Sequence, residues 1–231
     1  MWRCLAVIAL ASCGRFGFGD EPTPTDASID GGPDAPIANL IHAYPLTSDL
    51  DDKLGGPSLI AHGGVLGPDG YKFGVNQGVT VANVMPSAVY TIDLKFELDL
   101  VAGYRKVVDF KGLAADSGLY VEDGMLQFVV VPVTGCPGDD CYTSATLYTT
   151  GHTSELTVTR DDSGLVTAYV DRAPVFSFTD SMSVAAFDTI GDALALFIDD
   201  NPTMTEASSG TVHDVRVYDI ALSAARVTAQ P

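Results

Sequence analysis

The chain has 231 residues, 46% of them apolar, with 23 Gly, 13 Pro, and 30 Asp and Glu against 12 Lys and Arg, a net charge of −18 at pH 7. That length allows one sizeable core, and the composition fits a turn-rich globular protein rather than a disordered one. A surface this acidic, uninterrupted by a basic stripe, argues against nucleic acid and anionic membrane faces as partners and leaves calcium, neutral sugars and basic proteins open.

The N-terminus opens with MWR, a short basic start, followed by the apolar run CLAVIAL, too short to span a bilayer, and then by LASC. This arrangement resembles the lipobox of bacterial lipoprotein signal peptides. The resemblance implies a signal over residues 1–12, lipidation of Cys13 and a mature chain anchored in the bacterial cell envelope. Gly14, in place of Asp after the Cys, points toward the outer membrane. Residues 13–38, rich in Gly, Pro, Asp and Thr, then read as the lipidated Cys and a flexible tether reaching roughly 25–30 Å.

From residue 39 to 231 the chain reads as one all-β domain. Ile92, Leu94, Phe96, Leu98 and Leu100 alternate with Thr91, Asp93, Lys95, Glu97 and Asp99, which predicts a strand with one buried face and one solvated face. The segments 126–131, 155–160, 165–170, 175–178, 193–198 and 215–218 follow as further short strands bounded by turn residues. Hairpin turns are expected at Glu122-Asp123-Gly124, at 161–164 and at Asp171-Arg172. Between the second and third strands of this series, Cys136 and Cys141 enclose Pro-Gly-Asp-Asp. The pair reads as a disulfide closing a turn, with a metal or redox pair as the alternative. One helix is expected, in LSAARVTAQ, with Ser223 as its N-cap. Many antiparallel strands and one short C-terminal helix give a two-sheet sandwich.

The runs YPLTSDLDDKLGGPSL, VYTIDLKFELD, YRKVVDFKGLAADSGLYVEDGMLQF, LTVTRDDSGLVTAYVDRAPVFSF and SGTVHDVRVYDIALSAARV stand in an order that resembles bacterial laminin G-like domains. These belong to the concanavalin A-like lectin/glucanase superfamily, so the resemblance implies a jelly-roll sandwich and a recognition role. The chain departs from the pattern at Arg172, where the hairpin turn usually has Gly, and at His213, where an acidic residue is common.

Glucanases of this fold place Glu, Asp and Glu at alternate positions of one strand, where two carboxyl groups perform the reaction. Aligned on Asp93, this chain has Thr91 and Lys95 in the outer two positions, so the catalytic motif is broken at both ends and no catalytic residue is assigned. No nucleophile elbow, zinc-protease motif or phosphate loop is present. Calcium is the candidate cofactor, with Asp52, Asp199, Asp200 and Glu206 as candidate ligands, because Ca²⁺ favours clustered acidic loop oxygens. Turn-forming Asp on surface loops is the plainer reading of the same residues. Tyr71, Tyr104 and Tyr120 are candidate platforms for a sugar ring, since the one Trp leaves with the signal. The expectation is a non-catalytic envelope protein that binds an extracellular or cell-surface glycan or protein and meets the membrane only through its lipid. A polysaccharide hydrolase with an unrecognised site and a purely structural surface protein are the alternatives.

Overall fold

A computed structural model describes residues 38–230 except 86, 115–116, 130–139, 188–192 and 201–204; the side chains at 140–143 and 146 also lie outside the description. In chain order the strands are β1 (Leu40–Tyr44), β2 (Ile60–Ala61), β3 (Val65–Gly67), β4 (Gly70–Phe73), β5 (Val79–Ala82), β6 (Tyr90–Leu98), β7 (Tyr104–Asp109) and β8 (Gly118–Glu122). They continue with β9 (Met125–Val129), β10 (Asp140–Thr146), β11 (Ser154–Arg160), β12 (Leu165–Val170), β13 (Ala173–Thr179), β14 (Ala193–Leu196) and β15 (Gly210–Tyr218), before helix α1 (Ala224–Thr228). No helix among the described residues is long and apolar enough to cross a membrane.

The strands form two antiparallel sheets. The eight-stranded sheet runs β13-β12-β11-β6-β15-β4-β3, with β1 also paired to β15. The seven-stranded sheet runs β10-β9-β8-β7-β14-β5-β2. This is the expected jelly-roll sandwich with its short C-terminal helix. Alternation along each strand decides what lies between the sheets. Ile92, Leu94, Phe96 and Leu98 of β6, with Val212, Val215 and Val217 of β15, meet Leu119, Val121, Leu126, Phe128, Leu194 and Leu196 of the opposing sheet in one core. Each such side chain contributes about 1.5–3 kcal/mol by leaving water. Aromatic rings bridge the layers: Phe96 packs on Tyr148 at 5.8 Å and on Phe197 at 5.1 Å, and Phe128 packs on Phe110 at 5.6 Å and on Phe178 at 4.8 Å.

The turns follow from local chemistry. Asp123 and Gly124 both take positive φ, 48° and 82°, as a two-residue hairpin turn requires. Asp171 and Arg172 do the same at 48° and 68° without a glycine. The turn is held by Asp171 Oδ1, which accepts the Glu155 N–H at 2.9 Å, and by Arg172 pairing with Glu155 at 3.4 Å. Ser223 caps α1, accepting from the Arg226 N–H at 3.4 Å.

The outer face of the eight-stranded sheet is not uniformly solvated. Leu222 and Val227 pack on Tyr169 and Tyr218 there, and Thr91 fixes this C-terminal segment by donating to the Ile220 carbonyl at 2.7 Å and accepting from the Leu222 N–H at 2.9 Å. Asp93, expected on a wet face with Glu97 and Asp99, is buried at 6% exposure, whereas Glu97 is half-buried and Asp99 exposed. Burial, with Glu155 nearby, pushes the Asp93 carboxyl up to about 6, although Thr157 donates to it at 2.9 Å.

Candidate functional site

Where β3, β4, β15 and β6 lie side by side, register sets Val65, Lys72, Thr211 and Glu97 in one row across the strands. This row lies along a groove of about 630 Å³ that is also lined by Asp69, Asp99, His213, Gln77 and a series of glycines. Charged and polar side chains are set among apolar lining that includes Pro68, Phe73 and Val65, the last 71% exposed. Lys72 Nζ lies 3.8 Å from Asp99 Oδ1, an exposed pair that contributes little to stability. His213 falls where the β15–β6 register slips between Val212 and Asp214, and its Nδ1 lies 2.6 Å from the Asp69 carbonyl.

Tyr71 shapes the groove from beneath. Its ring is buried, its hydroxyl donates to the Gln77 carbonyl at 2.7 Å, and it accepts from the Gly64 N–H at 2.9 Å. A Cβ on Gly64 would lie 2.6 Å from the Tyr71 ring, so the wall approaches this closely only as glycine. Tyr71→Phe should lower stability by about 1–2 kcal/mol, because the part-buried Gly64 N–H and Gln77 carbonyl both lose their partner. Urea unfolding with an unchanged m-value would measure this; a change under 0.3 kcal/mol would show that the hydroxyl does not hold the wall.

A second polar group lies on the outer face of the seven-stranded sheet. Lys106 of β7 is fully buried, with Nζ 2.5 Å from Asp200 Oδ1, 3.0 Å from Asp109 Oδ2 and 5.3 Å from the centre of the Tyr120 ring. Burial acts to lower the Lys106 ammonium, but the hydrogen bond it donates to Asp200 and the charge of Asp109 leave it above its usual range.

A laminin G-like family model, described as the concanavalin A-like lectin/glucanases superfamily, matches residues 73–228. The chain belongs to this superfamily. No curated protein matches the chain. Among solved structures, Trypanosoma rangeli sialidase in complex with 2,3-difluorosialic acid superposes with a TM-score of 0.64 at 16% identity, covering 84% of this chain and 32% of that one. Domain 4 of AbnA, an extracellular arabinanase of Geobacillus stearothermophilus solved with arabinotriose, gives 0.54 at 16% identity over 83% of this chain and 97% of that one. The binding domain of botulinum neurotoxin serotype D gives 0.57 at 12% identity over 83% and 51%. The chain thus spans about a third of the sialidase's length, and at these identities the likeness is one of fold.

In this concanavalin A-like domain several candidate residues have other tasks. Tyr71 and Tyr120, expected as ring platforms, are each 1% exposed: one braces the groove wall and the other lies over Lys106. Tyr104 is half-buried, edge-on to Tyr120 at 6.0 Å. The candidate calcium ligands Asp52, Asp199, Asp200 and Glu206 are not gathered. Among the described residues, no three of His, Cys, Asp or Glu are grouped as a metal ion would need. Asp52 is occupied by His42 at 2.6 Å and by the N–H groups of Ala43, Leu54 and Gly56. Burial acts to raise its carboxyl, but these donors hold it below the usual range. Asp200 faces the Lys106 ammonium, and Asp199 Oδ2 accepts the Glu206 N–H at 3.1 Å. A divalent ion at Asp200 would have to displace an ammonium group. Cys13 and Cys136 lie outside the described residues, as does the side chain of Cys141.

Sequence reasoning missed Lys72, Thr211 and His213 as groove residues and the Lys106 cluster altogether. The opposite charges three apart in YRKVVDF were the only signal for the latter.

Proposed function

We propose that the domain is a non-catalytic glycan-binding module of a lipid-anchored envelope protein, taking a neutral oligosaccharide in the groove across β3, β4, β15 and β6. The observation that carries this reading is the row Lys72, Thr211, Glu97 along a groove of about 630 Å³, which offers donors and acceptors at the spacing of adjacent strands. Sugar hydroxyls pair with such groups, and strand neighbours about 4.8 Å apart suit successive hydroxyls of a pyranose or furanose ring. The superfamily and the arabinotriose held by the arabinanase domain support the same class of ligand. Asp69, Glu97 and Asp99 face a single Lys in the groove of a chain with net charge −18, so anionic sugars are disfavoured. The two carboxyl groups raised by burial, Asp93 and Asp214, are not among the residues lining the groove.

Titration calorimetry of the purified protein with arabinotriose and other neutral oligosaccharides, alongside sialylated ones, tests the proposal. Binding to at least one neutral glycan is expected, reduced tenfold or more by Glu97→Gln combined with Thr211→Val. Failure of every neutral glycan to bind, or release of reducing ends during incubation, would overturn it.

A further inference from the structure

In an unbroken strand, residues three apart point to opposite faces. Lys106 and Asp109 do not, because the β7–β8 register slips between Lys106 and Val108, and the extra residue, Val107, returns Asp109 to the outer face beside the lysine. The slip thus brings a primary amine against a carboxyl group, and both side chains are 0% exposed. Nζ lies 3.0 Å from Asp109 Oδ2, yet that oxygen is buried with no hydrogen bond of good geometry. Asp109 Oδ1, by contrast, accepts the backbone N–H groups of Lys111 at 2.9 Å and Leu113 at 2.8 Å. Nζ also donates to Asp200 Oδ1 at 2.5 Å.

From this arrangement we infer that Lys106 and Asp109 condense to an intramolecular isopeptide bond, with Asp200 as the proton carrier. Each part has a role. Asp200 takes a proton from the ammonium and exposes the nitrogen lone pair. The nitrogen attacks Asp109 Cγ, and the charge that develops on Oδ1 falls on the two N–H groups already aimed at it. Asp200 passes its proton to Oδ2, takes the second from nitrogen and passes that on too. The C–Oδ2 bond breaks, water leaves, and a C–N bond has formed; Asp200 ends as the carboxylate it began as. No oxidant or other reactant is required.

One feature favours condensation here over the ion pair that prevails in water: well-oriented held groups reach effective concentrations of about 10⁵–10⁸ M. The bond would span three residues of one strand and fix the slip at Val107; so short a loop adds little chain-entropy stabilisation, and the readout is mass rather than melting temperature.

The test is tryptic digestion of the denatured, purified protein followed by tandem mass spectrometry. An acylated Lys106 resists trypsin, so peptide 106–111 is expected intact and lighter by one water. Asp200→Asn should lower its yield more than tenfold while glycan binding and circular dichroism are retained. Quantitative release of unmodified 107–111 would overturn the inference. So would a dehydrated 107–111, which reports a succinimide at Asp109, or a branched product joining 106–111 to 173–216, which places the bond on Asp200. Undiminished linkage in Asp200→Asn would overturn the carrier role.

Discussion

Replacing Arg160 with Met is expected to lower the stability of the domain by about 3–5 kcal/mol, the usual cost of leaving one member of a buried ion pair alone. Arg160, at the end of β11, places Nε 3.0 Å from Asp180 Oδ2 and donates through Nη1 to the Ala88 carbonyl at 2.9 Å. Asp180 also accepts the N–H groups of Val184 at 2.7 Å and Ala185 at 3.1 Å, and the Ala185 carbonyl accepts from the Tyr90 hydroxyl at 2.6 Å. One guanidinium therefore joins the segment before β6, the end of β11 and the turn after β13. Without it the Asp180 carboxylate, 0% exposed in its side chain, loses its counter-ion. In a domain of this size the melting temperature should fall by roughly 10 °C. Arg160→Met with Asp180→Asn should recover more than half of that, because the charge left behind is then gone. Calorimetry showing equal losses for the single and double variants would mean that packing of the arginine stem, and not its charge, is the source.

The opposite sign is expected at Asp93. Its carboxyl is raised by burial and by Glu155, with Thr157 and Arg216 opposing and Asp214 adding, to about 6 from an ordinary 3.8. A raised acid binds its proton more tightly when folded than when unfolded. Stability is therefore fullest below pH 4 for this group and declines as pH rises from about 4 to 6. Above that window the ionised form costs the native state up to about 3 kcal/mol. Asp214, raised by its own burial, acts in the same direction. Asp93→Asn keeps an acceptor for Thr157 and removes the charge, so at pH 7.5 the melting temperature should rise by about 5–10 °C, while at pH 4 variant and parent should coincide. A variant less stable than the parent at pH 7.5 would show that Arg216 depends on the Asp93 charge, and would sink this account.

The Asp93 case also shows where the sequence stops being legible. Strict alternation marked β6 as a strand and chose Ile92, Leu94, Phe96 and Leu98 correctly as inward, because they have only the core to go to, whereas Leu100, expected with them, lies past the end of the strand and is 46% exposed. The turn residues located the hairpins around β8–β9 and β11–β13, and Ser223 located the helix. The outward residues were read as wet because alternation has two classes, whereas the real face has three. Part is covered by Leu222 and Val227, part is crowded by Glu155, Asp214 and Arg216, and only the end toward Asp99 is open. The short strands β1 to β5 were not legible either. Two to five residues give no period, and their pairing is decided by partners far along the chain, such as Tyr44 opposite Val215. The groove depends on those strands, so its residues were missed with them. The Lys106 cluster was missed for a further reason: a single inserted residue reverses the facing of everything after it, and no composition signals that at Val107.

The place of β15 bears on how such a chain is made. It lies in the interior of the eight-stranded sheet, bordered by β6 on one side and by β4 and β1 on the other, yet among the described strands of the domain it comes last in chain order. Until residues 210–218 are available, β6 on one side and β1 and β4 on the other cannot be joined, and the contacts that close the sheet span nearly the whole domain. Topology of this kind folds slowly and late. A product truncated before Gly210 would lack this central seam, with β6 on one side and β1 and β4 on the other left as open edges, and is expected to be readily cleared by proteolysis.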